Sequence, residues 1–217
     1  MENSGYKVHH GYCILFIVVM FHLDETFKTT SFYRFKHISI IVSGQNGVRV
    51  RRGSTWIAEQ FGARKRIADM KVDNAAEALT DEVEDDKDCG NILLQILELS
   101  AGCHLALEVN GWDGVSETVC ARLSAGGSIV GSYYQSVNMD TICTLARDGV
   151  VDRTFDPLLT PPDITKEYER GLPFGSEERT EDIVPAVFLL LERYTGIKSI
   201  TPEIFQEMQW NTYLKKY

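Results

Sequence analysis

The stretch IVGSYYQSVNMDTICTLARDGVVDRTF, residues 129–155, decides the fold class. It divides into three runs, Ile129–Gln135, Met139–Ala146 and Val150–Phe155, rich in β-branched and aromatic residues and bounded by turn residues. Ser136-Val137-Asn138 joins the first two runs. Asp148-Gly149 joins the last two, and both residues tolerate the positive φ that a two-residue hairpin turn requires. Consecutive hairpins build an antiparallel meander, so the segment predicts an α+β domain and argues against a parallel Rossmann-type sheet.

Upstream, Ile92–Leu99 and a run from His104 to Val109 form two further strands around Ser100-Ala101-Gly102-Cys103. Alternation along the second sets Leu105, Leu107 and Val109 on the core face and His104, Ala106 and Glu108 on the other. Asn110-Gly111-Trp112-Asp113-Gly114 is a turn. Ser116 then caps a short helix with Val119, Cys120 and Leu123 on its inner face, ended by Gly126-Gly127. Nearer the start, His37–Ser43 and Val48–Arg51 flank Gly44-Gln45-Asn46-Gly47 as a hairpin. Ser54 is the expected cap of a helix carrying Trp56, Ile57, Phe61 and Ile67, broken or kinked at Gly62.

Downstream, residues 156–174 hold four of the six prolines and read as a surface connection. Thr180 caps a helix whose Pro185 lies near the first turn, and whose run Ala186-Val187-Phe188-Leu189-Leu190-Leu191 is apolar all round and must be largely buried. Gly196 closes it, and Thr201-Pro202-Glu203 opens a last helix. The predicted architecture is therefore an antiparallel meander packed against a few helices, with a helical C-terminus. Its expected divisions are a basic region over 1–68, an acidic linker over 69–91 and an α+β core over 92–217.

Of the chain's net charge of −9, residues 1–66 contribute +6 (ten Lys/Arg, four Asp/Glu), which leaves −15 for residues 67–217. That acidic remainder argues against nucleic acid as the main partner, because phosphate binding depends on clustered Lys and Arg. The five cysteines are widely spaced and include no C-x-x-C, which fits reduced thiols in a cytoplasmic protein. The apolar run over residues 12–23 is too short for a bilayer span of about 20 residues. It reads as a buried strand, with a membrane-associated or signal-like segment or a miscalled start as the alternatives.

Several short motifs occur together in a fixed order: L-A-L-E-V-N-G-W-D-G, then a helix, then G-G-S-I-V-G-S-Y-Y-Q-S-V-N, then A-R-D-G-V-V-D-R-T-F-D-P. In this order they resemble an uncharacterised domain-of-unknown-function family common in actinobacteria, in which a strand ends in E-x-N-G-W-x-G. Tyr194-Thr195-Gly196-Ile197 and Thr201-Pro202-Glu203 are similar to that family's ending, so the resemblance spans about residues 92–208. It implies no assigned activity and no catalytic residues.

The candidate binding residues are Glu108, Asn110, Trp112, Tyr134 and Asn138. Glu108 can act as a general base or anchor a cationic partner, or it can accept hydrogen bonds from the turn that follows, the favoured reading. Asn110-Gly111 is explained by turn chemistry. Trp112 serves as a core lid or as an exposed recognition aromatic, with the core favoured. One of Tyr133 and Tyr134 points inward and the other outward. His104 lies on the face of Glu108 but about 13 Å away by strand rise, too far for a direct pair.

The chain carries no G-x-G-x-x-G, Walker loop, G-x-S-x-G or H-E-x-x-H. Its acidic stretch, EDDKD, lacks the spacing of a calcium loop. No cofactor and no metal are therefore expected. The leading expectation is a cytoplasmic, non-catalytic protein-binding or regulatory module, immunity-like in its attraction for a basic protein partner. The alternative is a hydrolase using carboxylates near Glu108, with Asp113 as the second.

Overall fold

The computed structural model describes residues 37–42, 53–70, 91–108, 111–136, 140–176, 182–197 and 208–216. Asp148 (φ 51°) and Gly149 (φ 82°) both occupy the left-handed region. They form the tight turn between β6 (Thr141–Arg147) and β7 (Val150–Phe155), with Arg147 facing Val150. β5 (Ile129–Gln135) pairs with β6 from Ile129↔Arg147 to Gln135↔Thr141, so the predicted meander is present over this stretch. β3 (Asn91–Ser100) and β4 (Cys103–Glu108) form the predicted upstream hairpin.

The remaining strands extend the sheet in an order that the chain order does not follow. β1 (His37–Val42) lies between β4 and β5 and pairs antiparallel with both. β8 (Trp210–Lys216) lies between β3 and β2 (Lys65–Met70). Among the described residues the result is one eight-stranded antiparallel sheet, β2-β8-β3-β4-β1-β5-β6-β7.

Helices cover both faces, which makes the fold α+β with an antiparallel sheet as its middle layer. One face carries Ile38, Ile40, Leu105, Leu107, Tyr133 and Leu145 against α3 (Ile183–Thr195). The other carries Ile41, Ile96, Ala106, Val130 and Ala146 against α1 (Ser54–Gln60) and α2 (Glu117–Ser124). Strands covered on both sides should be buried at every position, and β4 is buried throughout. This corrects the reading of Glu108 as a residue on a non-core face, since that face lies under α1 and α2.

Individual elements confirm and amend the sequence reading. Ser116 caps α2 by accepting from Val119 N–H at 3.3 Å, and Gly126 and Gly127 follow at positive φ. α1 is shorter than expected. Gly53 is its N-cap, it stops at Phe61 before Gly62 (φ 82°), and Ile67 lies on β2, exposed.

α3 buries Ala186, Val187, Phe188, Leu190 and Leu191, but Leu189 faces outward. A Cβ built on Gly131 of β5 would lie 2.8 Å from Leu191 Cδ2, so glycine there sets how closely α3 approaches the sheet. The connection after β7 is held down by an ion pair between Arg153 and the fully buried Glu169. Asp163 N–H donates to the same carboxylate at 2.8 Å, and Arg153 Nη2 donates to Pro161 O at 3.1 Å.

The expected hairpin turn over 44–47, the apolar run over 12–23, most of the acidic linker, Thr180 and the helix opened by Thr201-Pro202-Glu203 lie outside the described residues. Among the described residues no helix is long and apolar enough to cross a membrane.

Candidate functional site

The corner after β4 is built around one buried carboxylate. Glu108 is 1% exposed, and its Oε2 accepts from Gly114 N–H at 2.8 Å. Gly114 belongs to a 3-10 turn (Asp113–Val115) that leads into α2. A Cβ on Gly111 would stand 2.7 Å from Glu108 Oε1 and 2.9 Å from Ile92 Cδ1. The chain can therefore pass so close to its own carboxylate only where the side chain is a hydrogen.

The opposite side of the turn is anchored by hydroxyls from three strands. Ser132 Oγ (β5) donates to Gly114 O at 2.7 Å, and Ser39 Oγ (β1) stands 2.6 Å from Ser132 Oγ. One proton per hydroxyl fixes the direction of this chain: Ser132 gives its proton to Gly114 O and takes one from Ser39. Cys120 Sγ also donates to Gly114 O, at 3.0 Å, and Thr144 Oγ1 (β6) donates to Val115 O at 2.7 Å. Each buried bond contributes about 1 kcal/mol net, and each would leave a costly orphan if one partner were lost. The sequence reading missed Ser39, Ser132, Cys120 and Thr144 as a group. Its one visible sign was a serine in the middle of otherwise apolar or aromatic strands.

What this frame presents to solvent is aromatic. Trp112 is 58% exposed, which corrects the expectation that it lies in the core. Its ring sits 6.0 Å from that of Tyr134 at 47°. Strand alternation resolves the tyrosine pair: Tyr133 is buried and donates to Gln135 Oε1 at 3.0 Å, while Tyr134 is half-buried beside Trp112. Asp113 forms an ion pair with Lys215 of β8. Asn110 and Asn138 lie outside the described residues. The structure thus brings Glu108, Trp112 and Tyr134 to one corner, with Glu108 beneath and the two rings above.

The chemistry available there is limited. Glu108 is a buried acceptor already engaged by the backbone. His104 faces Glu98 and Ile41 across the sheet and is buried, with neither ring nitrogen hydrogen-bonded among the described residues. Burial lowers its pKa, opposed by the charge of Glu98. Burial pushes the Cys103 thiol up to about 11 and Cys120 to about 12, and it holds Cys143 well above its ordinary value. None of these three is a ready thiolate nucleophile. Among the described residues no group of three or more His, Cys, Asp or Glu side chains is placed to hold a metal ion.

Comparison with known proteins adds a family and nothing about chemistry. Residues 57–214 match DUF6461, described as a family of unknown function. No curated protein and no solved structure matches the chain.

Proposed function

The chain belongs to this family of unknown function, and we propose that it is a non-catalytic protein-binding module whose contact surface is the Trp112–Tyr134 corner. The observation that carries the reading is the 58% exposure of Trp112 on a turn fixed by buried bonds to Glu108, Ser132 and Thr144. Large apolar rings are costly to leave in water, and tryptophan and tyrosine dominate the centres of protein interfaces. A rigid turn also limits the entropy lost when a partner docks.

The charge supplies the partner class. With −15 over residues 67–217, the module attracts a basic protein and masks it by charge complementarity, in the manner of an immunity or regulatory protein. The free, buried thiols of Cys103, Cys120 and Cys143 among the described residues support a reducing, cytoplasmic setting. The carboxylate-hydrolase alternative is weakened by the burial of Glu108 and by the pairing of Asp113 with Lys215.

Co-purification from the source organism tests the reading. The wild-type chain is expected to retain a basic protein at low salt and to release it near 1 M salt, where the Debye length falls to about 3 Å. Trp112→Ala is expected to lose that protein while keeping the wild-type unfolding midpoint. Equal retention by Trp112→Ala would remove the corner as the contact surface, and failure to retain any basic protein would remove the function.

A further inference from the structure

On the opposite face of the sheet from Trp112, a second feature stands apart from this corner. Between a 3-10 turn (Glu167–Glu169) and α3 lies an open cavity of about 520 Å³, lined among the described residues by Glu167, Tyr168, Arg170 and Arg193. Its size falls within the range of small-molecule sites. Among the described residues its lining carries two guanidiniums and one carboxylate besides the tyrosine.

The arginines are placed for recognition. Arg193 Nη1 donates to Arg170 O at 3.0 Å and to Tyr168 O at 3.5 Å, which orients the guanidinium plane. Neither Arg170 nor Arg193 forms an ion pair among the described residues. The wall behind them is stiff: the Tyr168 ring packs edge-on against Tyr194 (5.1 Å, 81°), and Tyr194 Oη donates to Asp152 Oδ2 at 2.5 Å. The buried ion pair between Glu169 and Arg153 holds the turn from beneath.

We propose that this cavity binds a small organic anion, its carboxylate or phosphate held by Arg170 and Arg193 and its apolar part laid against Tyr168. Guanidinium forks match both oxyanions, which accept two parallel N–H bonds. Glu167 in the lining disfavours a highly charged ligand and suits one bearing a single anionic group beside a hydrogen-bond donor.

Amide chemical-shift titration of the full chain with benzoate and with phenyl phosphate, at constant ionic strength set by chloride, tests this directly. Saturable shifts confined to residues 167–170 and 190–196 are expected with at least one probe, and none with chloride alone. The stronger of the two arms identifies the oxyanion. Arg170→Gln, whose side chain makes no hydrogen bond or ion pair among the described residues, is expected to weaken binding about tenfold, or about 1.4 kcal/mol. Arg193→Lys, which keeps a donor for the two carbonyls but loses the fork, is expected to weaken it as well. Trp112→Ala is expected to leave it unchanged, so this site and the aromatic corner fail or succeed separately. The absence of saturable shifts with both probes, or an unchanged affinity in Arg170→Gln, would overturn the proposal.

Discussion

At the scale of single residues, Gly111 and His104 carry the sharpest consequences. A methyl group at position 111 would meet both Glu108 Oε1 (2.7 Å) and the Ile92 side chain (2.9 Å), so backbone or carboxylate must move. Gly111→Ala is expected to destabilise the fold by about 1–3 kcal/mol, the usual cost of overpacking, measured by chemical denaturation. Because the clash is shared with Glu108, the cost in a Glu108→Ala background should be smaller. A double-mutant cycle with no coupling would mean that the two groups do not meet. His104 gives a pH dependence whose sign follows from burial. Its folded pKa lies below the 6.5 of an exposed imidazole, mainly through desolvation and against the charge of Glu98. The unfolded chain therefore takes up a proton near pH 6.5 that the folded chain refuses. Stability from this group is complete above that pH and falls as the pH drops towards the folded pKa, by at most about 1.4 kcal/mol per pH unit. His104→Leu is expected to flatten this part of the stability–pH curve, and a wild-type-minus-variant difference that does not change between pH 7.5 and 5 would contradict it.

At the scale of elements, what the sequence made legible was local. The β5–β6–β7 meander was readable because Asp148-Gly149 states its own turn geometry, and α2 because Ser116 and Gly126-Gly127 mark its ends. The neighbours of β1 and β8 were not readable, since strand pairing across 60 or more residues leaves no local signature: Ile38 pairs with Leu107 and Tyr133, and Tyr213 with Leu94. The burial of Glu108 was misread for a related reason. Alternation with polar residues implies a solvated face, whereas this face is covered by helices and the Glu108 carboxylate accepts from the backbone of the turn beside it. The exposure of Trp112 was beyond reach because ring size suits core and interface equally. The helix that covers the other face was legible by composition, and its energetic weight can be stated. Leu190 and Leu191 of α3 are 0% exposed, and Leu190→Ala is expected to cost about 2–5 kcal/mol through lost burial and a residual cavity. The exposed Leu189→Ala should cost far less, and a calorimetric comparison of the two checks which face of α3 meets the sheet.

At the scale of the whole molecule, the strand order makes β8 indispensable to β2 and β3. β8 has β3 on one side and β2 on the other, and it buries Trp210, Tyr213 and Leu214 to 3% exposure or less. Removing residues 208–217 would take two ladders from the sheet at once, strip β2 of its pairing strand and expose Ile96, Leu94 and Leu93 along β3. Burying a single large side chain such as Trp210 is worth about 3–5 kcal/mol on truncation to alanine, and a domain of this kind has a total stability of about 5–15 kcal/mol. Loss of three such side chains together with their backbone hydrogen bonds exceeds what the rest can supply. The chain ending at residue 207 is therefore expected to lose its cooperative unfolding transition, followed by near-ultraviolet circular dichroism and tryptophan fluorescence. If β2 and β8 were only a docked edge, the truncated chain would instead keep a sharp transition at a lower midpoint, and the Trp112 corner with its β1–β4–β5 anchor would survive intact. The two outcomes separate a single cooperative sheet from a core with a detachable flap. The pairing of Lys215 with Asp113, which ties β8 to the corner itself, is the reason to expect the first.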